Sequence, residues 1–349
     1  MRSYATVFRN ENALMYDYIP ENFPFREGQI ELIANIIKGI EKGKYKNMLL
    51  YGPHGTGKTG ITKFFFRELK YSTRIVPIYF NCYYDHKKSK IYHEINKRIG
   101  NIFPPSGISN EIMFDSMIST IKAKKIIPLV ALDEVDQLCI FGDKEILYQF
   151  LRVYEKEEGV RIGMIMIIND IKSFLPGLDH SIKGVMNTEE IVFPQYSLFE
   201  IKEILKRRSR IAFHSDAIGN DVMDVVSEYV YEQGGDIRLG LDILRNAGYV
   251  ADKDGKSRIS VEIIEKILSP HKMINYVIER LDDYEKKLID VIKSIDNPTT
   301  GKVYEILVNE IDISYATFCK MIRKLENLRI IDTKLIEKRG KTREIYLRI

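Results

Sequence analysis

The chain has 349 residues, which at roughly 100 to 200 residues per domain suits two or three domains. Its composition is 45% apolar and 29% charged with modest Gly and Pro, which excludes a disordered or fibrous protein, and apolar runs such as 162–168 are strand-length, too short for a membrane span. The net charge of +4 is unevenly placed: residues 320–349 carry 10 Lys and Arg against 4 Asp and Glu, leaving 1–319 at −2, so a polyanion is expected to meet the carboxy-terminal end.

The opening run MRSYATVFRNENALMYDY lacks the continuous apolar core of a secretory signal, and a cytoplasmic, nucleoid-associated location without membrane contact is expected. Cys82, Cys139 and Cys319 are far apart with no CxxC pair, which reads as reduced thiols rather than a zinc site or disulfide framework. Strand-like apolar runs recur at 47–51, 75–81, 126–132, 162–168 and 190–193, with helical periodicity between them at 58–69, 91–99, 113–121 and 145–154. Such alternation predicts an α/β core with a mostly parallel sheet over 1–195. From Leu198 the strand-like runs stop, and helical patterns at 197–213, 222–231, 237–251 and 261–268 predict a small helical domain over 196–269. Ser269-Pro270 interrupts the helical pattern and sets a boundary near 270. Beyond it, helices at 283–295, 300–308 and 314–328 precede strands at 330–336 and 343–348 with Gly340 at the turn, the order of a winged helix over 270–349. No internal repeats or low-complexity tracts are seen.

The segment NMLLYGPHGTGKTG places GxxxxGK[ST] directly after a buried strand and before a helix, the context that makes a P-loop. Gly52, Pro53, His54, Gly55, Thr56, Gly57, Lys58, Thr59 and Gly60 would then wrap the phosphates of ATP or ADP, with Lys58 on the β and γ phosphates and Thr59 on Mg²⁺. The apolar strand ending in Asp133-Glu134 supplies a Walker B pair, Asp133 toward the metal and Glu134 polarising the attacking water. By itself an acidic pair at a strand end is more often a solvated helix start, and the P-loop upstream is what favours catalysis. Asn169, at the strand end within MIMIIND, is placed to orient water near the γ-phosphate as sensor 1, and Arg238 of GGDIRLGLDILRNA to sense it from the lid as sensor 2.

In helix 314–328, Ile322, Leu325 and Leu328 are expected in the core, with Tyr315, Thr317, Lys320, Arg323 and Lys324 facing DNA. Lys338, Arg339, Lys341, Thr342 and Arg343 of the wing are expected to grip phosphate or minor groove. A basic helix face alone is usually just solvated; the wing and the charge asymmetry tip the reading toward duplex DNA.

Together these residues resemble the archaeal origin-recognition and Cdc-type initiator branch of the AAA+ ATPases. The likeness spans nearly the whole chain, through YIPENFPFREGQIELI, YFNCYY, ALDEVDQL, IINDIKSFLPGLD, EEIVFPQYSLFEIKEILKRRSRIAF and GGDIRLGLDILRNAGYVA. The resemblance implies an AAA+ P-loop core with parallel sheet, a helical lid and a carboxy-terminal winged helix that binds double-stranded origin DNA, with slow ATP turnover as a switch. It also implies that Tyr18, Ile19, Pro20, Arg26 and Tyr196 surround the adenine, that Ser106 to Asn110 meet DNA, and that initiator paralogues and a replicative helicase are partners. One position departs from the family pattern LDxRVxS: Ser181 stands where an arginine finger is expected, so this subunit should stimulate a neighbour's hydrolysis poorly. Two other readings stay open on the residues alone: a regulatory or signalling P-loop ATPase whose winged helix contacts proteins, and a motor-like DNA ATPase.

Overall fold

The computed structural model describes residues 6–72, 74–104, 107–141, 143–268, 281–328, 330–337 and 341–347. The chain divides into two compact units, Met1–Ile259 and Ser260–Ile349. This division falls earlier than the expected break near 270, and residues 269–280 lie outside the described residues.

In the first unit, strands β1 (Asn47–Tyr51), β2 (Ile75–Asn81), β3 (Ile127–Asp133), β4 (Gly163–Ile168) and β5 (Thr188–Val192) form a parallel sheet in the order β2-β3-β4-β1-β5. The central strands β3 and β4 are buried throughout, as strands covered on both faces must be. Because side chains alternate along a strand, Met164, Met166 and Ile168 enter one apolar cluster while Ile165 and Ile167 enter the other. The first cluster takes in α3 (Lys88–Ile99) and α4 (Asn110–Lys124); the second takes in α1 (Glu27–Glu41) and α2 (Lys58–Leu69). Short helices α5 (Asp136–Phe141), α6 (Glu145–Leu151) and α7 (Val153–Lys156) follow β3, and α8 (Ile171–Gly177) and α9 (His180–Lys183) follow β4.

The lid consists of α10 (Leu198–Ala212), α11 (Asn220–Glu232) and α12 (Ile237–Lys253). A capping box between Ser197 and Glu200 starts α10, and the Asp236 carboxylate caps α12. The amino-terminal segment, grouped with the core by its position in the chain, packs on the lid. Phe8 stacks on Phe213 with centroids 5.1 Å apart, Arg9 N donates to Ala212 O (2.8 Å), and Val7 N donates to Asp252 Oδ1 (2.7 Å). Arg208 of α10 donates from Nε to Ala13 O (2.6 Å) and from Nη2 to Met15 O (3.3 Å), stapling the end of the 3-10 turn Glu11–Leu14 to the lid.

The second unit opens with α13 (Val261–Leu268). It continues with α14 (Asp283–Ser294), α15 (Thr300–Glu310), α16 (Tyr315–Asn327) and the antiparallel hairpin β6 (Ile331–Glu337) and β7 (Lys341–Leu347). Leu288, Ile292, Val303, Leu307, Phe318, Leu325 and Ile345 share one apolar core, giving a winged helix. Leu328, expected in that core, is 39% exposed, because α16 ends at Asn327 and the helical period stops with it.

Candidate functional site

The loop after β1 turns at positions that only glycine fills without strain, Gly52 and Gly57 among them. Gly52 has φ +146, and a Cβ on it would lie 2.0 Å from Phe193 O; Gly57 has φ +99 and forms the N-cap of α2. No side chain caps α2, so its first N–H groups point to whatever occupies the loop, with the positive end of the helix dipole behind them. Lys58, 6% exposed, donates from Nζ to Gly52 O (2.5 Å), Pro53 O (2.8 Å) and Asn169 Oδ1 (3.2 Å). Burial pushes its pKa down to about 8, with Asp133 pulling the other way.

Sheet register brings Asn169 to this lysine. Ile168, the last residue of β4, pairs with Tyr51, the last of β1, so the residues that follow each strand emerge side by side. Asp133 ends β3 and is 5% exposed; its Oδ2 accepts from Thr59 Oγ1 (2.7 Å) and Tyr79 OH (2.7 Å), and its Oδ1 from Glu134 N (3.0 Å). Burial beside Asp133 raises the Tyr79 pKa, which keeps the phenol protonated and able to donate. Glu134 has φ +53, a strained backbone of the kind found at functional sites. Burial, then Asp133 and Asp136, hold its carboxyl above the usual carboxylate value, a direction that strengthens a general base. The Thr59 hydroxyl and the Asp133 carboxylate are adjacent hard oxygen donors beside the loop, the donor types Mg²⁺ takes, so the residues fit that ion.

A cavity of about 800 Å³ joins these groups to the lid. Lys58, Thr59, Asp133, Glu134, Asn169 and Arg238 all line it, as do Tyr18, Ile19, Pro20, Tyr196 and the loop residues His54, Gly55, Thr56, Gly57 and Gly60. Arg238 enters from the first turn of α12, with its guanidinium held by both Asp236 oxygens at 2.9 and 2.6 Å.

Three residues expected at the nucleotide do not line the cavity. Gly52 and Pro53 are not among the lining residues, and their carbonyls hold Lys58 instead. Arg26, expected at the adenine, is 2% exposed and braces the loop from behind. It donates to Thr56 O (3.1 Å), Phe25 O (2.9 Å) and Pro194 O (2.6 Å), with its guanidinium 3.8 Å from the Tyr196 ring centroid. Tyr196 OH donates to the same Thr56 carbonyl at 3.1 Å.

The sequence reading missed Phe23, Lys63, Tyr79, Arg207 and Arg208, which also line the cavity. For Tyr79 a signal existed: it lies two residues before the end of β2, on the same face as Asn81, which pairs with Asp133. Arg208 had no local signal. Its guanidinium lies 4.6 Å from the Tyr18 ring centroid, and burial lowers its pKa to about 10.

Ser181 is exposed on α9, whose N-cap Asp179 accepts from Lys144 Nζ at 2.8 Å. In the winged helix, Tyr315, Thr317 and Arg323 are exposed on α16 and Lys320 is half-buried. Lys324 is already engaged: its ammonium lies 2.6 Å from Oε1 of Glu285, a buried carboxylate in the capping box of α14. Arg343 lies 3.9 Å from Glu326 and donates to Thr333 Oγ1 at 3.4 Å. Lys341 and Thr342 belong to β7 by backbone, and Lys338, Arg339 and Ser106 lie outside the described residues. Ser109 caps α4, of which Asn110 is the first residue. Among the described residues no helix is long and apolar enough to cross a membrane.

Comparison with known proteins follows the same outline. Residues 42–171 match the AAA domain model, and 202–267 match the Cdc6 AAA+ ATPase-type lid domain. ORC1-type DNA replication protein 2 of Methanosarcina mazei is 34% identical over 348 residues, covering 97% of this chain and 93% of that protein. ORC1-type DNA replication protein 1 of Sulfurisphaera tokodaii is 32% identical over 365 residues, with coverage of 99% and 92%. The Aeropyrum pernix ORC1 protein, solved in complex with DNA, shares the fold with a TM-score of 0.81 at 24% identity, over 98% of this chain and 94% of that one.

Proposed function

The chain belongs to the ORC1-type DNA replication protein family, and from that premise we propose that it is an initiator that binds double-stranded origin DNA under the control of ATP, which it hydrolyses slowly. One observation carries the reading: the P-loop lysine, the Thr59–Asp133 pair, Glu134, Asn169 and the lid residue Arg238 all line one cavity. Lys58 and the amino end of α2 bind the β and γ phosphates, while Thr59 and Asp133 hold Mg²⁺, which supplies charge neutralisation when bound. Glu134 takes the proton of the attacking water, Asn169 orients that water, and Arg238 reports the γ-phosphate to the lid. Ser181 gives a neighbouring subunit no guanidinium to stabilise transition-state charge, so this chain stimulates a neighbour's hydrolysis poorly. Duplex DNA is met by α16 and the basic wing, and initiator paralogues and a replicative helicase are the protein partners this reading implies.

Two variants test it together. Lys58→Ala is expected to lose ATP and ADP binding in an equilibrium assay. Glu134→Gln is expected to keep binding, lose about 100-fold or more in turnover, and hold origin DNA in its ATP-state footprint. In a mixed assembly, Ser181→Arg should raise a neighbour's hydrolysis. Undiminished nucleotide binding by Lys58→Ala would refute the site, and a missing DNA footprint would return the winged helix to protein contacts.

A further inference from the structure

We infer that Tyr79 is a positioning residue for the metal-binding pair, setting how tightly the nucleotide site holds Mg²⁺; the inference rests on the nucleotide reading above. Asp133 Oδ2 accepts two hydrogen bonds of equal length, one from the Thr59 hydroxyl and one from the Tyr79 phenol, both 2.7 Å. Oδ1 is tied to the Glu134 amide at 3.0 Å. The carboxylate is therefore fixed from two elements outside its own strand, α2 through Thr59 and β2 through Tyr79.

The arrangement has a directional consequence. A hydroxyl that donates its proton to Asp133 must present its lone pairs away from Asp133, and lone pairs are what a hard cation takes. Thr59 holds this orientation while Asp133 Oδ2 stays where Tyr79 helps to keep it. Removing the phenolic oxygen leaves the carboxylate held only by the Glu134 amide at Oδ1 and by Thr59 itself at Oδ2, so Oδ2 loses its one fixed donor from β2 and the Thr59 hydroxyl shifts with it. Outer groups that orient metal ligands in this way commonly change metal affinity by about 10–100-fold.

Tyr79 itself is held in place. Its backbone pairs with Ala131 in the sheet, and the Lys63 ammonium lies 4.8 Å from its ring centroid. Neither contact involves the hydroxyl, so Tyr79→Phe removes the link to Asp133 while keeping the ring.

The experiment is a Mg²⁺ titration of ATP affinity, followed with a fluorescent ATP analogue on the full chain, beside nucleotide affinity in EDTA and a thermal melt. Tyr79→Phe is expected to raise the Mg²⁺ midpoint at least tenfold while leaving affinity in EDTA unchanged and the melt a single cooperative transition at slightly lower temperature. Asp133→Asn should remove the Mg²⁺ dependence altogether. An unmoved midpoint in Tyr79→Phe, or an equal fall of affinity in EDTA, overturns the positioning role while leaving the nucleotide site intact. No Mg²⁺ effect in the unmodified protein overturns the metal pair and the positioning role together, and no nucleotide binding at all overturns the nucleotide reading as well.

Discussion

A methyl group at Gly55 would lie 2.1 Å from Asp236 Oδ1 and 2.7 Å from Asp236 Cα, at a backbone φ of +72 that L residues rarely adopt. Asp236 is at once the cap of α12 and the clamp on Arg238, so this single glycine lets the lid approach the phosphate loop. Gly55→Ala is therefore predicted to push Asp236 and Arg238 back together. Strain of about 1–3 kcal/mol corresponds to roughly a 5–150-fold loss of ATP affinity, measurable by competition binding, with a smaller loss for ADP under the proposed reading of the γ-phosphate by Arg238. Equal losses for the two nucleotides would show that Arg238 does not make that distinction. The glycines of the motif were legible as glycines from their spacing. That one of them receives a lid aspartate was not, since Gly55 and Asp236 are distant in sequence.

At the scale of elements, the amino-terminal segment connects two functions. Residues 6–15 are bonded to lid helices α10 and α12, and residues 15–24 continue along the wall of the nucleotide cavity. Gly248 is what admits Phe8, since a Cβ there would fall 2.2 Å from the Phe8 ring. Gly248→Ala should expel Phe8 at a cost of about 1–3 kcal/mol. Limited proteolysis read by mass spectrometry should then cut faster before residue 24, and ADP should bind more weakly. An unchanged cleavage rate would mean that the strap is held without Phe8. The strand and helix patterns were legible because each is repeated locally: β1, β2, α2 and α13 begin and end where their apolar periodicity does. The strap carries no such pattern, and nothing local says which neighbour it joins.

For the whole molecule, the winged helix makes two basic neighbours unequal. Arg323 is exposed on α16, whereas Lys324 neutralises the buried carboxylate of Glu285. Arg323→Ala is predicted to leave the melting temperature unchanged, weaken duplex binding and reduce the slope of log affinity against log salt by about 0.9. Lys324→Ala is predicted to destabilise the winged helix by about 1.5 kcal/mol or less, a value held down because the lysine side chain is half-exposed, with little change in salt slope. The two readouts are separable by thermal melts and by binding at several salt concentrations. Reversal of the two phenotypes would reassign which residue faces the phosphates.

By itself the sequence determined the α/β core, the helical lid, the winged helix and the phosphate loop, because apolar periodicity and a contiguous glycine motif act between residues close in the chain. Only tertiary structure decided that Arg26 supports the loop from behind, that Lys324 is committed to Glu285, that Tyr79 shares an oxygen with Thr59, and that residues 6–15 are bonded to the lid. Each of these depends on a buried polar group finding its partner across the fold. Burial makes that pairing obligatory, but it does not write the partner's identity into the neighbouring residues.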